Sequence, residues 1–223
     1  LIYEFHIIVR NEEDKSHNYF KGDNIFLYAM DIYSKKLNFN FFNKLKKIDF
    51  LIHLAWGGLP NYNSNIHELE FHNQRNFFKK ILKHNIRNII VAGTCFEYGK
   101  INGKLKENTI PKESTKYGRA KYKLFKFLKE KTKNTKIKLN WLRIFYIYGE
   151  DQNPNSLYPQ LLKSIKIKKK IFNLSPGNQI RDFIHINFFL NIIHKIILKN
   201  RSFNVINICS GNPISVKNFA LKI

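Results

Sequence analysis

The sequence predicts an α/β fold with a doubly wound parallel sheet. Three observations carry that expectation. Short apolar runs alternate with longer stretches of helical spacing. The run at 50–54 is apolar but for His53, as in a strand buried on both faces. Residues able to do chemistry fall just after the apolar runs, where sheets of this kind bind ligands beyond the carboxyl ends of their strands.

Each element follows in order. Residues 3–9 read as a strand and 11–15 as a polar turn. A second strand, 25–29, runs out at Asp31, and 40–45 suit a short helix. After the buried strand 50–54, residues 68–84 have helical spacing, with Leu69, Phe77, Phe78, Ile81 and Leu82 on one face. Residues 88–92 form a strand and 115–131 a helix. A strand at 139–144 leads into a loop, and 156–167 form a helix with a proline in its first turn. Residues 183–186 are short and extended, 187–198 helical, and 205–208 a last strand. Asp31, Ala55, Trp56, Thr94 and Phe145 all follow strands, a placement that suits a nucleotide cofactor crossing the strand ends.

A chain of 223 residues, 43% hydrophobic, is enough for one sizeable domain, or one domain plus a small lobe. No run of about 18 uncharged apolar residues occurs, so no membrane partner is expected. Glu4 and His6 interrupt the first ten residues, which therefore do not read as a signal peptide. Cys95 and Cys209 lie far apart, make neither a metal spacing nor a disulfide framework, and point to a reducing cytoplasm and to no metal. The formal charge of +23 raises a nucleic-acid reading. The positive residues are scattered along the whole chain, however, which favours a solvated lysine-rich surface over a groove, and no nucleic-acid partner is expected. The densest cluster, 163–170, reads as the polar face and end of a helix. The chain begins inside a strand-like run and ends inside 216–223, an unfinished helical pattern, so both ends read as cut.

Chemistry concentrates in two segments. GTCFEYG, 93–99, follows a buried strand, and KYGRAK, 116–121, opens a helix on which Tyr117 and Lys121 share a face at i and i+4. A phenol titrates near 10 and is a poor base at neutral pH, but a neighbouring ammonium stabilises the phenolate and lowers its pKa. A hydroxyl such as that of Thr94 could bind the same substrate oxygen. The spacing alone is weak: with 11 Tyr and 39 Lys+Arg, about two such matches arise by chance. Tyr122 and Lys126 make a second one on the same helix. Context separates the first pair, since Gly118 and Ala120 flank Tyr117 with small residues that allow close approach to a cofactor, and Thr94 precedes it on a strand end.

Six segments in order then resemble the NAD-dependent epimerase/dehydratase family of extended short-chain dehydrogenases. HLAWGG (53–58) resembles the family's His-Leu-Ala-Ala segment, GTCFEYG its Ser/Thr-x-x-x-Tyr-Gly, and YGRAK its Tyr-x-x-x-Lys. LRIFYIYG (142–149) resembles Arg-x-x-Asn-x-x-Gly, IRDFIHI (180–186) Arg-Asp-Phe/Tyr-Ile-His-Val, and NICSGNPIS (207–215) the Asn-x-x-x-Gly-x-x-x-Ser end. The resemblance implies a Rossmann-like fold whose first strand is missing. Residues 1–150 would form an N-terminally truncated NAD(P)-binding domain. Residues 151–223 would be mostly a C-terminally truncated substrate lobe, with 180–208 returning to the main domain.

The resemblance also implies roles. Tyr117 would be the general acid/base, Lys121 its partner and a ribose ligand, and Thr94 the holder of the reacting oxygen. Asp31 and Ile32 would contact adenine, while Leu54, Ala55 and Trp56 would line the cofactor. Arg181 would bind the diphosphate of a nucleotide-diphosphate sugar, where a fork of donors suits phosphate oxygens. On the residues alone, Asp31 serves equally as a helix cap and Arg181–Asp182 as a local ion pair. Arg10, ending the first strand, favours NADP over NAD, because an arginine there suits the extra phosphate.

The departures are informative. The family's Gly-x-x-Gly-x-x-Gly loop, expected before Tyr3, is absent, so the chain reads as a fragment that binds cofactor poorly. Cys95 and Phe96 line the substrate site where sugar 4,6-dehydratases carry Asp-Glu, which disfavours dehydration. Tyr146 stands where many relatives carry a substrate-binding Asn. WGGLPNY, GTCFEYG, FYIYGEDQ and RDFIHI together resemble a polysaccharide-cluster branch of 4-keto-6-deoxysugar reductases, of the 6-deoxytalose 4-dehydrogenase type. The implied activity is NAD(P)-dependent reduction or oxidation at C4 of a dTDP-linked 6-deoxyhexose. A 4-epimerase and a non-catalytic Rossmann-like binding protein are the alternatives. Relatives commonly dimerise through the Tyr-x-x-x-Lys helix and its neighbour, here 115–131 and 68–84, so a homodimer is expected.

Overall fold

A computed structural model of the chain describes residues 3–11, 13, 20–34, 37, 39–45 and 48–223. Most of the expected polar turn at 11–15 lies outside them. The described chain forms two compact units, 1–48 with 72–85, and 49–71 with 86–223.

In the first unit, β1 (Phe5–Val9) and β2 (Ile25–Ala29) pair in parallel, Phe5 opposite Ile25 through Val9 opposite Ala29. α1 (Asn40–Lys44) buries Phe42, which packs on Phe39 and Phe41.

The second unit holds a four-stranded parallel sheet in the order β3 (Leu51–His53), β4 (Asn88–Thr94), β5 (Lys138–Ile144), β9 (Asn204–Ile208). β4 lies between β3 and β5, and Ile89, Ile90 and Val91 are each 0% exposed. Both faces of the strand are therefore covered, as its unbroken apolar run requires. Side chains alternate across a strand, so the two faces differ. α5 (Ile186–Lys199) covers one, packing Phe189 and Ile196 on Ile90, Leu142 and Ile208. α3 (Lys116–Thr132) covers the other, with Phe125 against Trp141. The fold is Rossmann-like α/β with a parallel sheet.

α3 starts where Thr115 caps it, the side-chain oxygen accepting from the Gly118 amide at 3.0 Å. α5 stops at Asn200, which takes the left-handed conformation common after a helix end. α4 (Leu157–Lys166) follows Ser156 and carries Pro159 in its first turn. α6 (Val216–Lys222) is capped by Ser215, whose oxygen accepts from Asn218 N at 3.0 Å. Two small sheets complete the unit: β6 (Tyr146–Tyr148) parallel to β8 (Phe183–His185), and β7 (Ile180–Arg181) antiparallel to β10 (Ile214–Ser215). The sequence reading included neither β6, β7 nor β10, which are too short for periodicity to register.

α2 corrects the reading most. It spans Ile66–Ile81 rather than 68–84, and Leu69 is 58% exposed instead of sharing the buried face. The buried positions are His67, Glu70, Gln74, Phe77, Phe78 and Ile81. The spacing is helical, but the first half of the stripe is polar, so an apolar count placed the face wrongly.

Candidate active site

Thr94, Cys95 and Phe96 leave the carboxyl end of β4, and a 3-10 turn, Cys95–Tyr98, follows directly. Thr94 caps that turn: its side-chain oxygen accepts from Phe96 N at 3.3 Å, while the carboxylate of Glu97 accepts from Thr94 N at 2.9 Å. Glu97 is fully buried. It also accepts from Trp141 Nε1 and Arg143 Nε, each at 2.9 Å. Burial pushes this carboxyl upward, against the pull of three donors, one of them the Arg143 guanidinium. Gly93 makes the arrangement possible, since a Cβ there would lie 2.3 Å from Trp141 Nε1 and 2.8 Å from Glu97 Oε1.

Tyr117, on the first turn of α3, is 8% exposed. Its hydroxyl faces the Thr94 side chain, which draws its pKa down. The structure therefore brings together the phenol and hydroxyl that the sequence paired. Burial raises the pKa of Tyr117, and the Thr94 contact draws it only partly back. The expected downward shift is absent: Tyr117 stands as a phenol, because desolvation of a phenolate outweighs its partners. Lys121 is 2% exposed and donates to the carbonyl of Ala92 at 2.7 Å, with its Nζ 5.9 Å from the centre of the Tyr117 ring. Burial lowers its pKa to about 7, against the upward pull of Glu97 and Glu70.

Gly118 has a packing role. Its missing side chain leaves room for the Phe96 carbonyl, 2.3 Å from where a Cβ would be, and Ala120 is buried outright. The second pair, Tyr122 and Lys126, lies outside the buried stripe, the ammonium 4.8 Å over the ring.

Cys95, Phe96, Tyr146 and Arg181 converge beside Tyr117. Phe96 lies 6.0 Å from Tyr117 and 6.3 Å from Tyr146, centre to centre. The Arg181 guanidinium is 4.9 Å over the Tyr146 ring. Burial pushes the Cys95 thiol up to about 12, and the Tyr146 hydroxyl is raised for the same reason. Arg181 and Asp182 do not form the alternative local ion pair. Asp182 instead accepts from Ser210 N at 2.6 Å and Gly211 N at 2.9 Å, pinning the loop after β9.

Leu54 and Ala55 are exposed at the carboxyl end of β3, apolar surface open to a ring or ribose. Trp56 lies beside them, 5.9 Å from Tyr117. Arg10, Asp31 and Ile32 belong to the first unit. Arg10 and Asp31 are exposed, and Asp31 Oδ1 accepts from Tyr33 N at 3.0 Å, closing a turn rather than capping a helix.

Sequence reasoning missed Tyr62, His67, Glu97 and Arg143. Tyr62 stacks on Phe96 at 4.4 Å and its carbonyl accepts from Tyr117 N at 2.9 Å. Thr94-x-x-Glu97 is a capping-box pattern, a signal that could have revealed Glu97.

A parallel sheet with a hydroxyl, a phenol and a buried lysine gathered at its carboxyl edge marks a Rossmann-type protein. The family model described as NAD dependent epimerase/dehydratase matches residues 3–209, and the chain belongs to that family. It is 32% identical to dTDP-6-deoxy-L-talose 4-dehydrogenase (NAD(+)) of Aggregatibacter actinomycetemcomitans over 77% of this chain. It is 28% identical to an uncharacterized UDP-glucose epimerase of Bacillus subtilis (strain 168) over 64% of this chain. The chain spans 66% and 47% of the lengths of these relatives. UDP-N-acetylglucosamine 4-epimerase from Methanobrevibacter ruminantium M1, in complex with UDP-N-acetylmuramic acid, shares the fold with a TM-score of 0.80 at 20% identity, covering 97% of this chain and 72% of that one.

Proposed function

We propose that the protein is an NAD(P)-dependent oxidoreductase acting at C4 of a dTDP-linked 4-keto-6-deoxyhexose, in the synthesis of cell-surface polysaccharide. The observation that carries this reading is that Thr94 faces Tyr117 and is followed by Cys95 and Phe96 rather than by an acid pair. Phe96 has no proton to give, and the Cys95 thiol, pushed up to about 12, holds its own. Elimination of water needs such a pair, whereas carbonyl reduction needs one proton.

In the reducing direction Thr94 holds the C4 carbonyl oxygen, and the Tyr117 phenol gives that oxygen its proton. The carbonyl becomes a secondary alcohol, and the Lys121 ammonium stabilises the phenolate left behind. The hydride to C4 would come from a dinucleotide bound there. The residues present fit such a group. Exposed Leu54 and Ala55 offer it an apolar face beside Trp56, with Tyr117 and Lys121 at the strand ends. Arg10 argues for NADP; the name of the talose dehydrogenase argues for NAD. Asp31 and Ile32 are assigned to adenine and Arg181 to the sugar diphosphate. Residues 151–223 are assigned mostly to a substrate lobe, with 180–208 returning to the main domain. Pairing of β9 with β5 supports that return. No helix among the described residues is long and apolar enough to cross a membrane. We place the protein in the cytoplasm, as a homodimer through α2 and α3.

A 4-epimerase is the second reading, favoured by the relative named as a UDP-glucose epimerase. The test is full-length protein with dTDP-4-keto-6-deoxyhexose and either NADH or NADPH. Stoichiometric loss of the reduced dinucleotide with a new C4 hydroxyl is the expected result. Interconversion of C4 epimers without net consumption overturns it in favour of the epimerase.

A further inference from the structure

Trp56 lies between β3 and α2, next to the proton-transferring groups rather than among them. Its indole Nε1–H donates to Nδ1 of His67 at 3.2 Å. The other nitrogen of that ring, Nε2, lies 2.7 Å from the carbonyl oxygen of Asn61. An indole only donates and a carbonyl only accepts, so these two partners fix the His67 tautomer, with hydrogen on Nε2 and a lone pair on Nδ1. His67 is 0% exposed, and its ring lies 5.3 Å from that of Tyr117. The indole is thus held at its polar edge by a ring that is itself clamped to the backbone.

On the face of that indole rests the ammonium of Lys121, 4.1 Å from the ring centre. An ammonium has three hydrogens. One goes to the Ala92 carbonyl, and the negative face of the indole attracts the positive charge from another side. We propose that Trp56, anchored by His67, is a positioning residue for Lys121: the indole face sets where the ammonium stands relative to the Tyr117 hydroxyl. The kinetic consequence rests on Tyr117 and Lys121 being the proton-transfer pair, but the positional claim does not.

Several other groups face the same ammonium. Glu97, after β4, and Glu70, on α2, support its charge, and burial opposes them. His53, on β3, is held far down by its own burial and by Lys121. Tyr117 completes the set.

The test is a fluorescence titration of the full-length protein, with the Trp56 signal isolated as wild type minus Trp56→Phe. A step near pH 7 is expected as the ammonium loses its proton under the indole. The step should vanish in Lys121→Met and shrink at least about twofold in His67→Leu. His67→Gln, which keeps a side-chain acceptor, should restore it. A step that survives Lys121→Met, an unchanged step in His67→Leu, or no step in wild type overturns the proposal. In turnover, Trp56→Leu should lose about tenfold more kcat than Trp56→Phe, with KM for the nucleotide sugar within about twofold. Equal losses overturn the kinetic consequence. Absence of turnover in wild type would count against the proposed function alone, since the titration needs neither cofactor nor substrate.

Discussion

Arg143 Nε donates to Glu97 Oε2 at 2.9 Å, with the two side chains 2% and 0% exposed. The pair stands under the strand end that carries Thr94, and the Arg143 guanidinium also lies 4.5 Å over the Tyr98 ring. Removing one charge leaves the other buried alone, which costs about 3–5 kcal/mol. Glu97→Gln should therefore lower Tm by ~10 °C in a thermal melt. It should also lower kcat, because Glu97 holds the Thr94 amide. A melt and a kcat both unchanged from wild type would show that the pair supports neither fold nor site.

Tyr117→Phe removes the hydroxyl that faces Thr94 from α3. The expected loss in kcat is about 10²–10⁴-fold, the usual contribution of a positioned acid or base. Nucleotide-sugar affinity, measured by calorimetry, should stay close to wild type. A loss confined to affinity would make Tyr117 a binding residue only.

Lys121 has a folded pKa of about 7 against an ordinary 10.5. Between those values the unfolded chain binds the extra proton, so stability rises with pH across that window. Denaturant melts at pH 7 and above should show this slope in wild type and a shallower one in Lys121→Met. The variant should also be the more stable protein at pH 7, because it buries no charge.

His53 behaves as the acid-side counterpart. Burial holds its pKa at about 3 against 6.5, so the unfolded chain takes up a proton first as pH falls. Stability is lost progressively from about pH 6.5 down to about 3. His53→Asn should flatten that limb in melts compared over the same range.

Cys95, with its thiol pushed up to about 12, has almost no thiolate at neutral pH. Alkylation followed by mass spectrometry should label it at least about tenfold more slowly than a free thiol of ordinary pKa. Labelling at the free-thiol rate would mean that the pocket opens in solution.

The parallel sheet was legible because short apolar runs alternate with helical stretches, although the run read as buried on both faces, 50–54, leaves Ile52 in β3 38% exposed and Leu54 just after it 59% exposed. Thr94 and Tyr117 were legible because they stand at motif positions. The polar stripe of His67, Glu70 and Gln74 was not: nothing in a hydropathy pattern marks a buried polar face. Glu97 with Arg143 is a pairing across 46 residues that only the sheet creates. The burial that makes Tyr117 a phenol is likewise a tertiary effect, so the local lysine spacing misjudged its sign.

Gly93 divides the site into a part that evolution can alter and a part it cannot. Any side chain there would displace Trp141 and Glu97 together. Under the proposed function, a lineage changing its sugar would therefore leave the floor of this pocket alone and vary the rim, at Cys95, Phe96 and Tyr146. Sequence drift among descendants should concentrate at those three positions while Gly93 stays glycine.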